Sequence, residues 1–294
     1  MVSAGREQDP TIRQGVMPTS APTSTLPNDA TGVFDGSLSE PAVVAAGTGV
    51  AAVVSERSPI KDPPNEDAAA VIPLIGGGVA LAVADGCGGH AAGEQAAQIA
   101  IRTLFECLHQ PGEGEARGAV LDAFERANEA ITGLGVGAGT TLAVAIVDAG
   151  AVRAYHAGDS EILLIGQRGR VKLQTLAHAP VAYGVEAGVI DPRDAMHHED
   201  RSLISNLLGS AEMRIEVGAA VPLAARDTLI LASDGVTDNL RTREIADLIR
   251  TGPVDAAARR LRDAAHRRMT NPQPGEPGKP DDLTFVLYRP ARPR

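Results

Sequence analysis

Apolar and polar positions alternate in two different ways along the chain. From residue 39 onward, Val43–Val54, Ala68–Ile75 and Val79–Ala84 are apolar runs that predict β-strands, the last two joined by Gly76-Gly77-Gly78. Gly93–Leu108 then switches to helical spacing through Ala97, Ile101, Leu104 and Leu108, and Ala116–Ile131 predicts a second helix after the Pro111–Gly114 loop. Three strands follow at Thr140–Val147, Ala151–His156 and Glu161–Ile165. A further strand at Thr228–Ala232, helices at Thr242–Arg250 and Val254–Arg268, a Pro/Gly loop over Asn271–Pro280 and a closing strand at Leu283–Tyr288 complete the pattern. Strands in runs followed by helices in pairs argue for antiparallel sheets covered by helices, an α+β class, rather than a strictly alternating parallel fold.

Two stretches break the periodicity. Residues 1–38 are rich in Pro, Thr, Ser, Gly and Asp and predict a disordered tail. Residues 39–294 then form a single domain, in which about 177–215 mixes charges with Gly184, Gly188, Pro192 and Gly209 and predicts a mobile flap insertion with short helix.

Composition narrows the function classes. A formal charge of −10 with only 2% aromatic residues opposes nucleic-acid binding, which needs phosphate-neutralising charge and stacking platforms. Cys87 and Cys107 are too few for a disulfide framework and fit a reducing compartment. The Pro41–Val54 stretch is broken by Gly47, Thr48 and Gly49 and is too short to span a bilayer, so a cytoplasmic protein without membrane contact is expected.

The chemistry lies in acidic clusters set among small residues at the ends of apolar runs: Asn65-Glu66-Asp67, Asp85-Gly86, Gly158-Asp159-Ser160, Ser233-Asp234-Gly235 and Asp281-Asp282. Carboxylates at strand ends beside glycines suit hard divalent cations, which take oxygen ligands, and glycine lets a backbone carbonyl approach closely. Singly, each cluster also reads as an ordinary turn or cap. A haloacid-dehalogenase reading of Asp234-Gly235-Val236-Thr237-Asp238 needs a nucleophilic Asp at position 232, which is Ala. No Ser-His-Asp or Cys-(x)5-Arg arrangement is present, and His197-His198-Glu199-Asp200 reads as a solvated charged surface.

Taken in order, Asn65-Glu66-Asp67, Ala84-Asp85-Gly86-Cys87-Gly88-Gly89-His90-(x)3-Glu94, Gly139-Thr140-Thr141, Gly158-Asp159-Ser160, Ser233-Asp234-Gly235-(x)-Thr237-Asp238 and Asp281-(x)2-Thr284 resemble the metal-dependent, type 2C serine/threonine protein phosphatases, in particular their bacterial branch. The resemblance runs from about Val50 to Arg289. It implies a four-layer α-β-β-α sandwich of two antiparallel sheets flanked by helix pairs. It also implies hydrolysis of phosphoserine and phosphothreonine by metal-activated water at a binuclear Mn²⁺ or Mg²⁺ centre. By resemblance, Asp85 bridges both metals, Gly86 lends its carbonyl to one, Asp234 and Asp281 hold the other, Asp67 and Glu66 act through waters, and Asp159 holds a third metal as in bacterial members. The implied partners are phosphorylated proteins, among them a Hanks-type kinase and its substrates.

The chain departs from that pattern in five places, one of them Ala177-His178-Ala179, which stands where many members carry Asp-His-Ser before the flap. No Arg stands at the family's phosphate-binding position before Asn65; Lys61 is the substitute, with Arg57 second, and a Lys gives a point charge rather than a fork. Glu161 replaces an Arg, Asp282 replaces an Asn, and Cys87 replaces a Met beside the centre, where its oxidation would inhibit or where it is an inert buried thiol. His90 either caps its turn or donates to the centre. The missing Arg leaves open a second function, a catalytically weak module of the same fold that docks phosphoproteins.

Overall fold

The computed structural model describes residues 31–34, 38–87, 89, 91–109 and 116–291. The chain runs β1 (Thr31–Phe34), β2 (Leu38–Ala46), β3 (Gly49–Glu56), β4 (Asp67–Pro73), β5 (Val79–Cys87), α1 (Ala91–Leu108), α2 (Ala116–Thr132), β6 (Gly139–Thr140), β7 (Leu142–Asp148), β8 (Ala151–Ala157), β9 (Glu161–Ile165) and β10 (Val171–Gln174). It continues through α3 (Pro180–Glu186), α4 (Pro192–Ala195), β11 (Glu216–Val217), β12 (Val221–Pro222), β13 (Thr228–Ala232), α5 (Asp234–Thr237), α6 (Thr242–Ile249), α7 (Val254–Thr270) and β14 (Leu283–Pro290).

These strands form two sheets. One has the path β1-β4-β5-β7-β8-β11, with β12 on β8 and β6 on β5; the other runs β10-β9-β13-β14-β3-β2, and every pairing is antiparallel. Side chains alternate faces along a strand, so each strand supplies two cores. In β4 and β5, Ala68, Ala70, Ile72, Ala80, Ala82 and Ala84 face α1 and α2 and meet Ile101, Leu104, Phe124 and Ile131. Their neighbours Ala69, Val71, Leu81 and Val83 face the other sheet and meet Val53, Leu229, Leu231 and Val286. On the far side, Val54, Ile230, Phe285 and Leu287 pack on Ile245, Leu261 and Ala265 of α6 and α7. The α-β-β-α layering expected from the sequence follows. With few rings available, Ala and Val fill most of the inter-sheet layer, which lets the sheets approach closely; Tyr155, Tyr288, Phe124 and Phe285 are the bulkiest buried side chains.

Two sequence expectations change. The single strand at Val43–Val54 is a hairpin, because Gly47 adopts φ +53° and Ala46 pairs with Gly49 across Gly47-Thr48. A Cβ at Gly49 would lie 2.3 Å from the Arg289 carbonyl oxygen, so this glycine also allows β3 to sit against β14. The tail expected to be disordered over residues 1–38 includes ordered chain at its far end: Thr31–Phe34 pairs with Ala68–Val71 as an edge strand, and Leu38 opens β2. Residues 1–30 and His90 lie outside the described residues. The segment at 177–215 carries the short helices α3 and α4.

Candidate metal centre at the sandwich edge

The alternation that builds the inter-sheet core also delivers the carboxylates. Asp67 and Asp85 continue the inward-facing rows Ala69-Val71 and Leu81-Val83, and the two residues are direct partners across β4 and β5. Asp159 sits in the turn from β8 to β9, Asp234 opens α5 after β13, and Asp281 and Asp282 precede β14. All therefore converge at one edge of the sandwich, where strand ends of both sheets meet.

A network of uncharged residues fixes these positions. The Asp85 backbone is held on both sides: Thr141 N–H donates to the Asp85 carbonyl at 2.8 Å, Thr140 Oγ1 donates to it at 2.9 Å, and Asp85 N–H donates to Thr141 Oγ1 at 3.0 Å. Thr141 Oγ1 and Ser160 Oγ lie 2.7 Å apart, which ties the Gly-Thr-Thr segment to the Asp159 turn. Ser233 Oγ donates to Asp67 Oδ2 at 2.9 Å and accepts from Thr284 N–H at 3.1 Å. Asn65 completes the frame: its amide donates to Ser55 Oγ at 2.9 Å and its Oδ1 accepts from Asp67 N–H at 3.0 Å. A Cβ on Gly86 would lie 2.3 Å from the Gly93 carbonyl and 2.6 Å from that of Glu66, so only glycine fits there.

Asp282 has a different place from the other acids. It is buried, and its two oxygens accept from Ser58 N–H at 2.7 Å and Glu66 N–H at 2.9 Å. It clamps the loop between β3 and β4 rather than facing water, and its charge acts on the neighbouring Asp67.

Electrostatics in the cluster are unfavourable to negative charge. Burial, then Asp282, pushes Asp67 well above the usual carboxylate range, and burial, then Asp67, Asp234 and Asp159, does the same to Asp85. Burial and the charges of Asp234 and Asp238 push Asp159 up to about 8. Burial also pushes Asp234 up to about 6, against the pull of Lys279. Two ammonium groups answer this charge. Lys61 pairs with Asp281, and Lys279 pairs with Asp234, with Asp238 at 2.9 Å and with Asp281 at 3.2 Å. Arg57 is exposed and forms no ion pair among the described residues.

The donor set fits a hard divalent cation: it is all oxygen, it gathers more negative charge than the lysines cancel, and the buried Asp159 Oδ1 has no hydrogen-bond partner among the described residues. A cavity of about 150 Å³ opens beside Asp159, Glu161, Asp234 and Asp238 and is closed on its other side by Val181, Met196 and Arg201 of the flap. A larger one, about 340 Å³, lies at the opposite end of the second sheet around Val50 and Pro290, away from all of these acids.

Sequence reasoning missed Lys279, which it placed in a connecting loop, and gave Asp238 no role in the cluster. It marked Ala177-His178-Ala179 as a departure before the flap but gave His178 no role in anchoring it. His178 Nδ1 accepts from Gly158 N–H at 3.0 Å, His178 N–H donates to the Gly158 carbonyl at 3.0 Å, and the ring stacks on His156 at 4.4 Å. With Nε2 donating to Glu216 at 3.2 Å, both ring nitrogens are engaged, so this histidine joins the Asp159 turn to the flap. His197 is exposed and His198 accepts from Asp200 N–H, as expected of a solvated surface. Glu161 accepts from the Gln174 amide at 3.2 Å in place of any ion pair with an Arg.

Comparison with known proteins bears on this geometry. Residues 59–271 match the family model described as protein phosphatase 2C. The chain is 32% identical over 230 residues to the serine/threonine protein phosphatase PstP of Mycobacterium tuberculosis, which covers 76% of this chain and 41% of that protein. It thus spans less than half the length of that relative. A putative protein phosphatase 2C-type of Streptococcus pyogenes is 33% identical over 188 residues, 58% of this chain and 73% of its own length. Among solved structures, M. tuberculosis PstP/Ppp superposes with a TM-score of 0.69 at 30% identity, covering 82% of this chain and 98% of that one. The catalytic domain of PstP in complex with two manganese ions superposes with a TM-score of 0.67 at 28% identity, over 82% and 98% of the two chains.

Proposed function

Because the chain belongs to the protein phosphatase 2C family, we propose that it hydrolyses phosphoserine and phosphothreonine in proteins at a binuclear Mn²⁺ or Mg²⁺ centre. In this reading Asp85 would be shared by two metal ions, the Gly86 carbonyl would help hold one, and Asp234 and Asp281 would help hold the other. Asp67 and Glu66 act through water, and Asp159 belongs to a third cation. Divalent cations bound there acidify water and neutralise charge on the phosphoryl oxygens.

The chain's own groups do the rest. Thr140 and Thr141 hold the Asp85 backbone so that its carboxylate faces Asp67. Ser233 and Asn65 fix Asp67, and Asp282 fixes the loop that carries Lys61. Lys61 reaches Asp281 from that loop and is half exposed, so it can turn to a phosphate placed over the cluster. The flap residues Val181, Met196 and Arg201 line the far wall of the cavity. The partners proposed are phosphorylated proteins, including a Hanks-type kinase and its substrates, and the place of action is the cytoplasm. Among the described residues no helix is long and apolar enough to cross a membrane.

The observation that carries this reading is the convergence of Asp67, Asp85, Asp159, Asp234 and Asp281 from both sheets, with mutual repulsion that only added positive charge relieves. It is tested by hydrolysis of p-nitrophenyl phosphate and a phosphothreonine peptide with Mn²⁺, with and without EDTA, by wild type and Asp234→Asn. Manganese-dependent turnover that is lost in the variant is the expected result. A folded, metal-loaded wild type without turnover favours the phosphoprotein-docking module instead.

A further inference from the structure

Lys279 is built into the centre. Its backbone is gripped by Asn239, a fully buried residue: Lys279 N–H donates to Asn239 Oδ1 at 2.8 Å, and Asn239 Nδ2 donates to the Lys279 carbonyl at 2.8 Å. The same Asn239 amide donates to the Gly235 carbonyl at 2.9 Å, which locks the Lys279 loop to the turn that carries Asp234. The side chain is mostly covered, at 18% exposure, against 37% for Lys61. Its ammonium touches carboxylates from three points: Asp234, Asp238 at 2.9 Å and Asp281 at 3.2 Å.

Asp234 and Asp281 are also the pair proposed above to hold one of the two metals. A divalent ion and an ammonium group repel strongly at contact distance in a partly desolvated site, so the two cannot share these oxygens. We infer that Lys279 is a tethered cation that competes with the metal at Asp234 and Asp281. The metal at Asp85 and Gly86 binds without disturbing it, whereas the other enters only when the Lys279 side chain swings out. This inference rests on the proposed centre. It makes Lys279 a residue that sets metal affinity, and it divides metal binding into a tighter and a weaker class.

The test is Mn²⁺ binding by calorimetry and electron paramagnetic resonance on the EDTA-stripped full chain, for wild type, Lys279→Met and Lys279→Gln. The weaker class is expected to tighten at least tenfold in both variants, about 1.4 kcal/mol, with the tighter class unchanged. Weaker-class affinity that stays the same or falls overturns the inference and leaves the centre standing. Wild type that binds no Mn²⁺ removes both readings together. A second readout uses wild type alone, so it does not depend on a variant folding. Reductive methylation of Lys279, followed by mass spectrometry, should be slow in EDTA and faster in Mn²⁺, and a rate unmoved by Mn²⁺ counts against displacement.

Discussion

Asp67 and Asp85 face one another as direct partners on adjacent antiparallel strands, on the side of the sheet that faces the other sheet. Partners of this kind carry their Cβ atoms about 5 Å apart, and like charges so placed repel. The fold places this repulsion where the Asp85 backbone is pinned by Thr140 and Thr141 and the Asp67 carboxylate by Ser233, so the pair cannot relax apart. Repulsion held in this way marks a place prepared for positive charge.

Removing one member of the pair should therefore separate stability from activity. Asp85→Asn is expected to raise the melting temperature of EDTA-treated protein. It should also lower Mn²⁺-dependent turnover by more than the roughly 100-fold cost of losing an outer-sphere partner of a metal ligand. Thermal melts and p-nitrophenyl phosphate assays on the same preparation check both halves; a variant less stable than wild type in EDTA contradicts the repulsion.

The raised carboxylates set a pH dependence. Asp159 at about 8 and Asp234 at about 6 both lie above the unfolded value of 3.8. Groups shifted up contribute stability that is present below the unfolded value and is lost as pH rises through the folded one. His156, shifted down by burial, runs the other way below 6.5 but is one group against several. The melting temperature of EDTA-treated protein should fall from about pH 4 to about pH 8, and Mn²⁺ should flatten the slope. A profile that rises across this window opposes the assignment.

Lys61 is expected to act on substrate phosphate. Lys61→Ala should raise KM about tenfold with kcat little changed, the signature of lost binding common to ground and transition states. Lys61→Arg should recover most of it, since a guanidinium offers a fork to phosphate. Steady-state kinetics on a phosphothreonine peptide decide this, and a fall in kcat at constant KM would place Lys61 elsewhere in the reaction.

Cys87 should be a poor redox sensor. Burial, then Asp159, Glu66 and Asp234, pushes its thiol up to about 11, which leaves about one part in a thousand as thiolate near pH 8. Slow alkylation by iodoacetamide in EDTA-treated protein is expected. Peroxide sensitivity should be the same in wild type and Cys87→Ser.

Much of this was legible in the sequence because strand runs and acidic turns are local signals. The spans at Glu161–Ile165 and Thr228–Ala232 match β9 and β13 residue for residue, since each is a short apolar run with polar neighbours at both ends. The β2–β3 hairpin was not legible, because Gly47-Thr48-Gly49 interrupts an apolar run without the Asn-Gly or Asp-Gly pair that announces a tight turn. Ser233 was visible only as part of a turn; its bond to Asp67 spans 166 positions, and no local pattern reports a contact of that range. Lys279 was hidden for a related reason. In a Pro/Gly-rich loop a lysine reads as solvated, and only the grip of Asn239, 40 positions earlier, turns it inward.

β14 lies between β13 and β3 in the interior of its sheet, although among the described residues it is translated after the thirteen other strands. It brings Thr284 to Ser55 and Ser233, and Asp282 to the loop before Asp67. A nascent chain therefore carries an open gap in the second sheet, with β13 and β3 unjoined, until this segment leaves the ribosome. Capture of metal by the proposed centre would thus report that the whole fold has closed, and a truncated or half-made chain would lack the assembled site.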